Sequence, residues 1–178
     1  KHLSNYTLNG IVNFNLKIQN ELNNTNPSIN ADFKIKNAKI KYNSDWLLEN
    51  IMMNGHYNNG ELRNNYSSKI IINDLNGLIN QNPFSGILSL SDLESPVIQT
   101  DIKLMLDLKT LSYFQNNRTL KQVSGEANIS AKYDGKMTFD SSWLNNFSKG
   151  EKSATINLNN ITWDSNASNV KELNGYLR

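Results

Sequence analysis

Apolar and polar residues alternate along most of this chain with a period of two. From Val97 to Leu106 the alternation is unbroken: Ile98, Thr100, Ile102, Leu104 and Leu106 fall on one side. Gln99, Asp101, Lys103, Met105 and Asp107 fall on the other. Successive side chains of a strand point to opposite faces, so the pattern predicts a sheet with one apolar face and one wet face. This strand anchors the stretch Asn82 to Leu108, in which a strand from Gly86 to Leu90 and a turn from Asp92 to Pro96 precede it. The same signal opens the chain, where Val12, Phe14, Leu16 and Ile18 interleave with Asn13, Asn15 and Lys17 after a strand start at Leu8-Asn9-Gly10.

Between these two stretches the pattern predicts a meander. Glu21 to Ser28 is polar, contains Pro27 and reads as a loop. Ile29 to Tyr42 is a strand whose phase slips: Ala31, Phe33 and Ile35 share a face, but Ala38, Ile40 and Tyr42 are displaced by one residue. A β-bulge near Asn37 would absorb the slip. Asn43 to Asp45 turns the chain, Leu47 to Met53 returns it, and Asn54-Gly55 and Asn59-Gly60 read as turn dipeptides. Arg63 to Asn73 is a further strand. Asp107 is placed to cap a short helix carrying Leu108, Leu111 and Phe114. Gly125 to Tyr133 is a strand with Ala127, Ile129, Ala131 and Tyr133 facing in, and Asp134-Gly135 reads as a hairpin turn leading to Met137 and Phe139. Ser142 to Lys149 is a loop or one helical turn around Trp143, Leu144 and Phe147. Ala154 to Trp163 and Val170 to Leu177 close the chain.

The order of events recurs. Leu8-Asn9-Gly10 and Ser124-Gly125 each begin a strand. Ile35 to Tyr42 resembles Ile156 to Trp163, and return strands close on Asn54-Gly55 and Asn174-Gly175. The reading is a single β-groove segment over residues 1–178, with about one and a half internal repeats (8–123 and 124–178), cut from a longer chain. Chance likeness among strand-and-turn patterns is the competing explanation.

Composition narrows the function classes. Hydrophobic residues make up 38%, low for sheets buried on both faces. Net charge is +2 with Lys and Asp/Glu interleaved, so there is no basic stripe for a nucleic acid. The chain has no cysteine, which excludes disulfides and thiolate metal sites. No apolar run approaches the roughly 18 residues a spanning helix needs. Asn is abundant but alternates with apolar residues, as mutational bias in an AT-rich genome would produce, rather than clustering into an aggregation-prone tract.

Candidate chemistry is sparse. His2 and His56 sit in no ligand-spaced cluster. Asp101 and Asp107, on the wet face, read as solvated carboxylates rather than an acid–base pair. No phosphate loop, nucleophile elbow or Cys/His pair occurs, so neither enzymatic activity nor a cofactor is expected. Triplets such as Asn128-Ile129-Ser130 and Asn160-Ile161-Thr162 follow from the abundance of Asn and are assigned no glycan. Trp46, Trp143 and Trp163 could form a sugar platform, though scattered aromatics are usually core or rim.

The central stretch resembles the AsmA-like family of Gram-negative envelope proteins, related to TamB and to bridge-like lipid transfer proteins, and particularly its Bacteroidetes forms. The residues that carry this are Asn82-Pro83-Phe84-Ser85-Gly86, Leu88-Ser89-Leu90-Ser91-Asp92-Leu93, Pro96 and the long strand into Leu106-Asp107-Leu108. Ile35 to Tyr42 followed by Leu48 to Gly55, and the glycine-led strand Ser124 to Ala131 after the short helix, extend the likeness over about Gly10 to Gly175. The order of these motifs carries the resemblance rather than any one of them. It implies a periplasmic, non-enzymatic protein that binds or shields lipid acyl chains in supplying or maintaining the outer membrane. The parent would be anchored in the inner membrane by a segment absent here. Phospholipid, neighbouring repeats of the parent chain and envelope assembly proteins are the implied partners.

The fold expected is therefore all-β with one short helix: an extended, twisted antiparallel meander forming a taco-like groove or open half-barrel. Ten to twelve strands would make it roughly 50 Å long. Its lining is expected from Val12, Phe14, Leu16, Ile18, Phe33, Ile35, Ile102, Leu104, Leu106 and Ile129. The same residues would serve a closed sandwich core. A scaffold module joining partners through its sheet edges, or a carbohydrate-binding module, remain the rival functions.

Overall fold

The computed structural model describes residues 6–22, 25–42, 46–113, 123–136, 147, 149–165 and 168–177. They form one antiparallel sheet of nine strands lying side by side in sequence order. The strands are β1 (Tyr6–Gln19), β2 (Ser28–Tyr42), β3 (Trp46–Asn58), β4 (Lys69–Ile79), β5 (Asn82–Ser91), β6 (Val97–Asp107), β7 (Val123–Lys136), β8 (Glu151–Ser165) and β9 (Ser168–Leu177). A 3₁₀ turn, Leu108–Tyr113, follows β6. Asp107 caps it as expected, its Oδ1 accepting the Lys109 N–H at 2.9 Å. β1 and β9 pair on one side only, so the sheet is open rather than closed into a barrel. The expected all-β antiparallel meander is the observed fold. With nine strands at about 4.8 Å spacing it is roughly 40 Å across, shorter than the 50 Å anticipated.

The bulge expected near Asn37 is present. Between β1 and β2 the register steps from Ile11↔Lys36 to Asn9↔Lys39, leaving one extra residue on β2. Asn37 occupies it with φ at 51°. The extra residue returns Ala38 and Ile40 to the face of Phe33 and Ile35, which explains the phase slip in the sequence. The same device recurs at Asn50 in β3, Asp74 in β4 and Asn160 in β8, with φ of 51°, 54° and 52°. The left-handed region disfavours most L-residues and tolerates Asn and Asp. Asn is thus more than compositional background at these positions. Asn37→Val is expected to lower unfolding free energy by about 1–2 kcal/mol, while Asn37→Gly costs far less. Urea unfolding of both variants checks this; equal tolerance of valine and glycine would contradict it.

Three local expectations are corrected. Asn54-Gly55 is not a turn but lies inside β3, where Gly55 sits opposite Phe33. Asp134-Gly135 is likewise inside β7, paired with Gln99 and Ile98. In both places the glycine makes room for a ring: a Cβ on Gly55 would overlap the Phe33 ring, and one on Gly135 would meet Tyr133 Oη at 2.7 Å. Thirdly, the strand expected from Arg63 begins only at Lys69. The preceding segment folds on itself through side-chain-to-backbone bonds that compete with sheet pairing, such as Ser67 Oγ to Asn59 O at 2.6 Å and Ser68 Oγ to Asn64 O at 2.7 Å. Asn59-Gly60 does begin this turn, with Gly60 at φ +69°. The turn is tied to its neighbours by Leu93 N to Asn65 O (2.9 Å) and Arg63 Nη1 to Asn26 O (3.2 Å). Asn43–Asp45, Phe114, Met137, Phe139, Trp143 and Leu144 lie outside the described residues.

A small core forms where the 3₁₀ turn meets the sheet. Leu108, Ala127 and Ile161 are buried together, with Leu106, Val123, Ile129, Ile156 and Leu158 packed against them. Beyond this cluster, the buried apolar side chains among the described residues are Ile51 and Tyr133.

Candidate functional site

Strand register defines the two faces. Phe14 stands opposite Phe33, Phe33 opposite Gly55, Gly55 opposite Ile72, Ile72 opposite Leu88, and Leu88 opposite Thr100. Thr100 then faces Tyr133. A parallel row runs Leu16, Ala31, Tyr57, Ile70, Leu90, Ile98. A third joins Phe84, Leu104, Ile129, Ile156 and Leu177. Directly opposed residues in an antiparallel pair share a face, so these rows form one apolar surface extending from the β1 edge to the β9 edge. Thr100, the polar member of the first row, turns its hydroxyl to the Ile87 carbonyl at 2.9 Å.

All ten residues expected to line a groove fall on this surface. Val12, Phe14, Leu16 and Ile18 on β1 are the most open, Phe14 at 71% exposure. Phe33, Ile35, Ile102, Leu104, Leu106 and Ile129 are half-buried. Sequence reasoning missed Tyr57, Ile70, Ile72, Leu88, Leu90 and Ile156, which lie on the same rows. For Ile70 and Ile72 the unbroken triplet Ile70-Ile71-Ile72 hid the alternation; Ile71 points to the other face. Among the described residues no second sheet lies across the apolar rows; the 3₁₀ turn packs Leu108 against their β6–β8 end, and Phe147 stacks on Tyr133.

Aromatic rings shape the surface. Phe33 lies on Gly55, Phe84 on Gly77 with a notional Cβ 3.0 Å from its ring, and Tyr133 on Gly135 and Gly150. A ring resting on a glycine lies along the sheet instead of standing up from it, and shields backbone that glycine leaves bare. Phe147 stacks on Tyr133 with centroids 4.9 Å apart, and Lys152 Nζ sits 5.6 Å from the Phe147 centroid.

The opposite face is polar and carries the titratable groups. Asp101 pairs with Lys132 at 3.1 Å, Lys39 with Glu49 at 2.8 Å, and His56 Nδ1 meets Asp32 Oδ1 at 2.7 Å. Gln99 Nε2 donates to Asp134 Oδ2 at 2.9 Å. A cleft of about 560 Å³ lies mainly on this face, with Ile71, Ile87, Asp101, Lys132 and Asp134 among its lining, and is wide open to solvent. Among the described residues no three His, Cys, Asp or Glu side chains come together as a metal site. Asp101 and Asp107 are occupied separately, one by an ion pair and one by a cap. His2 and Trp143 lie outside the described residues, as do the side chains of Trp46 and Trp163.

No family model, curated protein or solved structure matches the chain. No helix among the described residues is long and apolar enough to cross a membrane.

Proposed function

We propose that this chain binds or shields lipid acyl chains along its apolar face, without covalent chemistry, as a periplasmic segment of an AsmA-like envelope protein engaged in lipid transport or outer-membrane maintenance. The observation that carries the reading is the apolar surface that crosses the nine strands and, over β1 to β5, has no second layer on it among the described residues. Exposed contiguous apolar surface of this extent costs free energy in water and marks a site that something apolar occupies. Acyl chains suit it because the rows are continuous and the ring-on-glycine pairs keep them low. They also demand no directional hydrogen bonds, and the face offers few. The order of motifs from Asn82 to Leu108 adds the resemblance to the AsmA-like family.

A fluorescent long-chain acyl probe tests this. Phe14 is open enough that Phe14→Asp removes little packing, yet it places a carboxylate in the first apolar row. Probe affinity is expected to fall about tenfold, roughly 1.4 kcal/mol, with the β spectrum unchanged. Asn15→Asp, on the polar face of the same strand, should leave it unaltered. Equal binding by both variants and the wild type would rule the face out.

One observation favours the second reading, a scaffold module acting through sheet edges: β1 is a 14-residue edge strand without proline and with a single charged side chain, Lys17. Edge strands are usually protected by charge, proline or brevity.

A further inference from the structure

β1 has an internal counterpart whose outer side is filled. Around Phe14 the register of β1 on β2 is Leu16↔Ala31, Phe14↔Phe33, Val12↔Ile35. Around Ile129 the register of β7 on β8 is Ala131↔Ala154, Ile129↔Ile156, Ala127↔Leu158. Both pairs then reach a glycine at positive φ, Gly10 at 153° and Gly125 at 116°, facing a left-handed asparagine on the next strand, Asn37 at 51° and Asn160 at 52°. This correspondence places Lys17 of β1 where β7 has Lys132, and Asn13 where β7 has Asn128.

On its other side β7 is covered by β6, antiparallel and without a register break from Val97↔Lys136 to Asp107↔Glu126. There Asp101 stands opposite Lys132 and pairs with it at 3.1 Å. The equivalent side of β1 is open among the described residues. Lys17 has no carboxylate partner there, and Val12 and Phe14 are 61% and 71% exposed.

We propose that the free edge of β1 is an acceptor for an antiparallel strand of β6 character, apolar opposite Val12, Phe14 and Leu16 and carrying a carboxylate opposite Lys17. Backbone hydrogen bonds supply the affinity, and the alternate side chains with the single charge pair fix the register. A second copy joined β1 to β1 fits less well. The strand brings only Lys17 as a charged group and no acid to meet it. A second copy joined through β9 fits less well too. With nine alternating strands, β9 and β1 run in the same direction, so a continuous sheet would need a parallel junction.

The test uses a synthetic peptide with the sequence Val97 to Asp107, added to the chain and followed by amide hydrogen exchange and binding titration. The peptide is expected to slow exchange along Ile11 to Gln19 and to leave β9 unchanged. Lys17→Glu, on an exposed edge where folding does not depend on it, should weaken binding roughly two- to fivefold, as loss of an exposed pair does. A peptide carrying Asp101→Lys should reverse the preference, binding Lys17→Glu better than wild type. Protection at β9 in place of β1 would overturn the proposal, as would binding indifferent to the charge exchange. So would concentration-dependent protection of β1 in the absence of peptide.

Discussion

Gly55→Val lowers the free energy of unfolding by about 2–3 kcal/mol, the scale of overpacking a filled site. Gly55 sits in the middle of β3, and the Phe33 ring of β2 rests on its Cα, where a Cβ would overlap the ring atoms. The ring must leave its place, which bares the glycine-side backbone and breaks the row from Phe14 to Leu88. The cost belongs to the pair rather than to the glycine. In Phe33→Ala the same valine meets no ring, so the double variant should be more stable than the sum of the two changes by 1 kcal/mol or more, as contacting residues commonly are. Urea unfolding of the four proteins measures this. Strict additivity would mean that the ring does not occupy the glycine position.

Asn82→Ala is expected to cost about 3 kcal/mol, larger than most single substitutions, because it strands several buried polar groups at once. The residue is 3% exposed at the start of β5. Its Oδ1 accepts the Asp107 N–H at 2.7 Å, and its Nδ2 donates to Thr110 Oγ1 at 2.9 Å, Asn80 O at 3.0 Å and Ile79 O at 3.2 Å. One side chain thereby ties the β4–β5 turn to the junction of β6 with the 3₁₀ turn. Its removal should speed exchange of the Asp107 amide more than that of amides in the middle of β6. Asn15→Ala, on the exposed edge strand, should shift stability by less than 0.5 kcal/mol, as surface changes do. A loss at Asn82 no larger than that at Asn15 would contradict this role.

The strands that were plainest in the sequence are those free of an internal irregularity. β6 alternates without interruption and pairs in unbroken register on both sides, so its faces follow directly from Ile98 to Asp107. β2 was legible despite its bulge because the slip from Ile35 to Ala38 leaves a countable extra residue. β4 was not, since Ile70-Ile71-Ile72 does not alternate and its bulge at Asp74 falls among polar residues. The glycines misled for a different reason. Asn54-Gly55 and Asp134-Gly135 have the composition of hairpin turns, but what determines them is a ring contact: Phe33 from the adjacent strand, and Tyr133 from the same strand. The ten expected lining residues share one face because alternation alone sets face. What alternation could not supply was whether a second layer closes over that face.

Native mass spectrometry of the purified chain, followed by solvent extraction of what co-purifies, tests the proposed lipid binding by the apolar face most directly. Bound phospholipid or fatty acid that is lost in Phe14→Asp and retained in Asn15→Asp is the result predicted. An apo mass for a well-folded β protein, unchanged on incubation with phospholipid, would contradict it and leave the apolar face to a protein partner.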